Sequence, residues 1–490
     1  MQRRPLLLAA AGLPLVATAA PAFDPSGNWV ATLRHAGETT AIGLRFEPHA
    51  EGGWTIQATL PAIHAWNAPF GRARWQDGAL QLGNGWQLQP SRDGRRLLGA
   101  MPEFLLPRLR LPLVLERGEL PHPPRPLPDL PQPQRLWRRE AGAPLWADLL
   151  RAGDSLFAGD DAGVLHALDP ADGRSRWQAK TGGALRCRPL LHQGQLLVPS
   201  DDGLLHAFEA GSGAPAWQLP LQQQPVRRIP PGQPGARFDR FGAGVAMQGD
   251  ALLTASHVGR LACWQLGHAP ERRLRWQADI GHSLLGTPVI AGGLVVLGAF
   301  DGSVRAFELD SGRERWRFDS GAPVVSAVWV ENGLVLVGSR SYELFALHLA
   351  DGREAWRRYH WFSWVESAVN GFEGRAYVGS SDGAHLSCWA PEQGRLLWRR
   401  DVHGWAWGQP AVDAQRVATG TAALPGYTVG HEASVWSFDR LSGQPHWRLP
   451  LAAPAEKGTY GVTGCLALAP GRVFASTLGG ELLALSDSSA

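Results

Sequence analysis

The sequence predicts an all-β protein: an eight-bladed β-propeller closed by pairing of its N- and C-terminal strands, behind a small antiparallel β-barrel or sandwich. Three observations predict it. A short motif ending in tryptophan recurs about every 40 residues, and 59 Gly and 38 Pro in 490 residues supply turns for many short strands. No long apolar stripe of helical period competes with that pattern. At this length the chain must be one large closed fold or two to three domains.

Residues 1–22, "MQRRPLLLAAAGLPLVATAAPA", place Arg3 and Arg4 before an apolar stretch and the small residues Ala20-Pro21-Ala22. This is the pattern of a signal peptide for export, by the general or the twin-arginine route. No Cys precedes Cys187, so no lipid-bearing cysteine follows the signal, and no later apolar run is long enough to span a bilayer. The expectation is a soluble monomer, periplasmic or secreted, with neither membrane span nor lipid anchor.

Residues 23–118 alternate apolar and polar side chains in "GNWVATLRH", "AIGLRFEP", "GGWTIQATL" and "LRLPLVLERG", broken by turn-rich "PHAEGG", "QDG" and "SRDGRR". Period two with such turns predicts roughly eight strands in a small antiparallel domain. Residues 119–135, "ELPHPPRPLPDLPQPQR", are a Pro-rich linker, stiff enough to hold two domains at a preferred separation.

The repeat occupies 136–490. "ALDPADGRSRW" ends at Trp177, "AFEAGSGAPAW" at Trp217 and "AFELDSGRERW" at Trp316; equivalent tryptophans are Trp137, Trp276, Trp356, Trp398 and Trp447. Successive gaps are 40, 40, 59, 40, 40, 42 and 49 residues, and a glycine stands four residues earlier at Gly173, Gly213, Gly312, Gly352, Gly394 and Gly443. Four short strands fit each unit. The chain ends in "RVFASTLGGELLALSDSSA", inner strands without the closing tryptophan, and "RLWRRE" around Trp137 supplies the missing outer strand. Pairing them closes the ring and removes an open sheet edge. Each tryptophan is then a structural group packed between blades, and its glycine permits the tight turn before it.

The spacing A-x-D-x-x-x-G-x-x-x-W in "ALDPADGRSRW" resembles the tryptophan-docking motif of quinoprotein-type eight-bladed propellers, whose repeats are named after pyrroloquinoline quinone (PQQ). The resemblance covers about 136–490. It implies either a quinone-dependent dehydrogenase or a non-enzymatic scaffold similar to the BamB assembly factor. The enzymes need Ca²⁺ ligands beside the cofactor, a catalytic Asp, a Trp beneath the quinone and usually an adjacent-cysteine disulfide. Here Cys187, Cys263, Cys388 and Cys465 are scattered, and Asp148 and Glu366 are the best carboxylates, neither with an Asn partner nearby in sequence. The reading is therefore non-catalytic with no cofactor, the alternative being PQQ and calcium.

Other chemistries lack their motifs. Formal charge is only +3, and Lys occurs only at Lys180 and Lys457 in an Arg-rich chain without a basic run, which argues against nucleic-acid binding. No CxxC pair, GxSxG, HExxH or phosphate-cradling loop is present, and no metal site is expected.

Two blades are much longer than 40 residues. The first carries "LQQQPVRRIPPGQPGARFDRFGAG" with Arg227, Arg228, Arg237 and Arg240, and the second "GTAALPGYTVGHEASVW". Strand alternation puts both insertions on one face, together with "YHWFSW" (Tyr359, His360, Trp361, Trp364) and "HGWAWG" (His403, Trp405, Trp407). Arg and aromatic residues dominate protein-binding hot spots. The Trp and His residues either cap the cores of their own blades or join the arginines in an aromatic, His-bearing rim that binds a protein partner in the cell envelope; in the second case His360 and His403 make binding pH-dependent between about pH 5.5 and 7.5.

Overall fold

The computed structural model describes residues 23–489 except 84, 102–105, 107–108, 124–128, 231–232, 234, 268–271, 428 and 456–457. The signal-peptide reading of 1–22 lies outside the described residues.

The N-terminal strands close on themselves: β1 (Gly27–His35), β2 (Glu38–Pro48), β3 (Trp54–Leu60), β4 (Ala65–Gln76), β5 (Ala79–Leu82), β6 (Trp86–Pro90), β7 (Arg96–Ala100) and β8 (Pro112–Arg117). Each pairs antiparallel with its neighbour, and β8 returns to β1 with Trp29 opposite Arg117. Alternation turns Trp29, Leu33, Leu44, Phe46, Leu80 and Leu88 inward, which gives the barrel a filled core.

The strand β9 (Pro133–Glu140) then enters the propeller, three residues earlier than its expected start. Eight four-stranded sheets follow around the ring. Blades 1 to 7 span 150–180, 190–220, 245–279, 289–319, 329–359, 370–401 and 411–450, and blade 8 joins Ala467–Ala469, Arg472–Ser476 and Glu481–Ser489 to β9. The closing register sets Ala484 opposite Trp137 and Glu481 opposite Glu140. An added two-stranded ladder, Ala422–Ala423 with Tyr460–Gly461, lies beside blade 7.

The tryptophans join blades. The indole N–H of Trp137, Trp177, Trp276, Trp316, Trp356 and Trp398 donates to a carbonyl of the following blade: Pro170, Ala210, Leu309, Leu349, Pro391 and Arg440 respectively, at 2.7–3.1 Å. The motif glycine does more than allow its own turn, because it lies beneath the preceding blade's indole. Gly352 has φ +70°, and a Cβ there would come within 2.5 Å of Trp316. Trp217 faces a blade without that glycine and donates instead to Gln195 Oε1 at 2.8 Å, and Trp447 faces Asp487. Trp316→Ala is expected to cost about 3 kcal/mol, read from denaturant unfolding, because a buried aromatic leaves a seam that cannot collapse.

The linker does not act as a spacer. Leu120 is buried, Leu130 packs against blade 7, and the Arg448 amide donates to the Pro131 carbonyl at 3.1 Å. The barrel core is continuous with Tyr342, Tyr359, Trp361, Phe362 and Val429 of the propeller. The two domains therefore share apolar packing in place of a held separation.

Candidate functional site: the loop-bearing face

Strand alternation sends the connections between blades, and those between the second and third strands of each blade, to one end of the ring. Both insertions and both aromatic segments lie there, as their positions between strands require. Several of the expected face residues do converge. The guanidinium of Arg240 stacks on Trp407 at 3.8 Å, and that of Arg237 faces Phe238 at 4.6 Å, Tyr427 at 5.2 Å and Trp405 at 5.9 Å. Trp405 and Trp407 are stacked with centroids 4.5 Å apart, and Trp364 meets Phe238 edge-on at 5.4 Å.

Convergence does not make an open rim. Trp361 is 6% exposed and Trp405 1%, and Tyr359, His360 and Trp407 are equally enclosed. Tyr359 and Trp361 belong to the hydrophobic cluster of the barrel, whose His35 meets the Tyr359 ring edge-on at 5.1 Å. His403 packs against His64 of the barrel with ring centroids 5.9 Å apart, and His64 lies 3.5 Å from Asp401. The barrel thus covers this end over blades 5 to 7. The expected titration near neutrality fails at His360, because burial and the neighbouring Arg399 push it down to about 3; burial also lowers His403.

The arginine insertion is an internal plug. Arg228 makes a two-pronged contact with Asp201, 2.7 Å on each side, and a further ion pair with Asp239 at 3.1 Å. Arg240 crosses from the entry of blade 3 to the entry of blade 6, where its Nη2 meets Glu366 Oε2 at 2.7 Å. Arg340 takes the other carboxylate oxygen at 2.6–2.7 Å. Burial opposes ionisation of Glu366, but the two guanidinium groups outweigh it and hold the carboxyl below its ordinary range. Among the four insertion arginines, Arg227 is the exposed one.

Sequence reasoning missed the partners of this plug. Asp382 accepts the Trp405 indole N–H at 2.8 Å, and burial raises its pKa; Ser381 accepts that of Trp407 at 3.0 Å. These serve as indole acceptors at one blade only, so the repeat pattern carried no signal for them. Over blades 3 and 4 the face remains open. Val258 (55% exposed), Phe300 (42%) and Ile229 (41%) stand there in loops.

A cavity of about 600 Å³ lies on the propeller axis, lined from every blade and including Trp146, Asp148, Arg188, Arg240, Glu366 and Trp407.

The comparisons with known proteins agree with this architecture. The family model described as outer membrane protein assembly factor BamB matches residues 129–239, 206–359 and 358–489. The chain belongs to that family. No curated protein matches the sequence. Among solved structures, the computationally designed Ika8 protein superposes with a TM-score of 0.57 at 15% identity, covering 72% of this chain and 99% of its own. A europium-containing methanol dehydrogenase gives 0.54 at 12%, covering 72% and 93%, and the quinohemoprotein alcohol dehydrogenase of Comamonas testosteroni gives 0.54 at 11%, covering 73% and 77%. A designed protein and two dehydrogenases match equally well, so these likenesses establish the fold and carry no activity.

The residues present do not fit a quinone with calcium. Glu366, the best placed carboxylate, has both oxygens taken by guanidinium groups, and a cation beside it would face Arg240 and Arg340. Arg240 also covers the Trp407 ring face that a planar quinone would need. Asp148 is buried, which raises its pKa, and it accepts the Cys465 amide at 2.6 Å. Among the described residues no three His, Cys, Asp or Glu side chains could jointly hold a metal ion. All four cysteines are free.

Proposed function

We propose that this protein is an exported, non-catalytic scaffold that binds a protein partner in the cell envelope. The partner surface is the open sector over blades 3 and 4, and the residues Arg227, Ile229, Val258 and Phe300 carry it. The observation behind this reading is the division of the loop-bearing end: one sector is sealed by the barrel, and the other leaves three large apolar side chains in solvent beside an exposed arginine. Aliphatic and aromatic anchors rimmed by arginine have the composition of protein interfaces. Membership of the family described as outer membrane protein assembly factor BamB supports an envelope partner. In this reading the eight motif tryptophans only dock blades, and residues 1–22 direct export. Among the described residues no helix is long and apolar enough to cross a membrane.

Site-specific photocrosslinking tests the reading. A photoreactive residue at Phe300 or Val258 should capture one envelope protein, whereas the same probe at Leu441, on the opposite end in the turn before Pro445–Pro450, should capture none. Equal capture from both ends would overturn the assignment. Addition of PQQ and Ca²⁺ should yield no dye-linked alcohol oxidation, and sustained turnover would sink the non-catalytic reading.

A further inference from the structure

The axial cavity of about 600 Å³ meets a second of like volume that reaches the end of the ring opposite the loops. The second is lined by residues 413–416 and 469–471, which turn between the first and second strands of blades 7 and 8, and by Arg151 of blade 1. Arg188 and Gln409 line both cavities and so stand where the two join. Gln409 is anchored, its Nε2 donating to the Val369 carbonyl at 2.9 Å, which leaves Arg188 as the charged group at the junction.

The arginines of this channel divide into two sets. Arg186 pairs with Asp161, Arg240 with Glu366, and Arg416 with Asp413 and Asp487. Arg151 and Arg188, both exposed, make no ion pair or hydrogen bond among the described residues. Asp148 feels the charge of Arg188, but its Oδ1 accepts the Cys465 amide at 2.6 Å and no ion pair joins the two. Cations without counterions inside a concave wall concentrate anions there. Beside Arg188 the wall turns apolar, with Leu190, Val289 and Trp329 half-buried along the first cavity. An apolar wall with one placed charge is the composition of a small-molecule site, and the volume is in the usual range for one.

We propose that the channel binds a small apolar carboxylic acid, with its carboxylate on Arg188 and its body along Leu190, Val289 and Trp329. A guanidinium group takes a carboxylate through two parallel N–H bonds, a geometry no other side chain offers. Arg151, on the strand that leads to the mouth, adds attraction on entry. Entry is from the end opposite the loops, because at the loop-bearing end Arg240 crosses to Glu366 and covers the Trp407 ring. A cation is repelled by both free arginines, and an anion without an apolar part gains nothing from Trp329. The inference is independent of the partner surface over blades 3 and 4, which lies at the other end of the ring.

Titration calorimetry of the full chain at neutral pH tests it, with acetate, butyrate, octanoate, 1-octanol and octylammonium as probes. Expected is one octanoate per chain, with affinity rising about threefold for each methylene from acetate to octanoate. Octanol should bind about tenfold more weakly or worse, and octylammonium not at all. Arg188→Gln should weaken octanoate about tenfold, and Arg188→Lys should restore part of the loss. Arg174→Gln, in the outer turn of blade 1, should bind as the parent does. If an Arg188 variant fails to fold, the contrast between octanoate and octanol on the unaltered chain decides the matter. Absence of octanoate binding, equal affinity for octanol, acetate as tight as octanoate, or a folded Arg188→Gln that binds like the parent would each overturn the proposal.

Discussion

Truncation before Glu481 is expected to abolish folding. The strand Glu481–Ser489 is the third strand of blade 8 and the partner of β9, so its loss opens the ring and strips β9 of its ladder. It also removes Leu482, Leu483, Ala484 and Leu485, all buried in the seams on either side of blade 8. Three leucines at about 2–5 kcal/mol each reach the whole stability of an ordinary domain, about 5–15 kcal/mol. Circular dichroism and gel filtration of the truncated chain should show no native species. A cooperative melt near that of the full chain would mean that the ring does not depend on this closure.

Glu366→Ala should be the most damaging single substitution on the loop-bearing face, at about 5 kcal/mol by denaturant unfolding. It leaves Arg240 and Arg340 buried without their shared counterion, and breaking a buried pair from one side costs far more than the pair itself contributes. Burial lowers the pKa of Arg240, and Glu366 is what opposes that. Replacing all three together, Glu366→Leu with Arg240→Met and Arg340→Met, should recover most of the loss, since no charge is then stranded. A single variant within about 1 kcal/mol of the parent would show that solvent reaches the pair.

What the sequence revealed depended on whether a feature repeats. Trp177, Trp217 and Trp316 sit in near-identical strings, so blade number, strand order and ring closure by Trp137 are all legible in the sequence. The barrel was legible from alternation around Trp29, Leu33 and Leu44. The fate of the loop-bearing face was not. Its end of the propeller was correctly inferred from strand parity, but Tyr359 and Trp361 are covered by a domain whose docking leaves no periodic trace. Glu366 stands 126 residues from its partner Arg240, and nothing local to "SWVESAV" announces that pairing. Aromatic residues in loops have the same composition whether a partner or the chain's own barrel buries them. Burial alone separates the two cases.

Hydroxyl-radical footprinting of the tryptophans at pH 7.5 tests the central claim, that the aromatic face is shut, Trp361 beneath the barrel and Trp405 beneath the arginine insertion. Trp75, 42% exposed on the barrel surface, should be oxidised rapidly, while Trp361 (6%) and Trp405 (1%) should be protected in proportion to their small accessible area, Trp405 the more strongly. Oxidation of Trp361 and Trp405 at the rate of Trp75 would show that the face is open and would contradict the account.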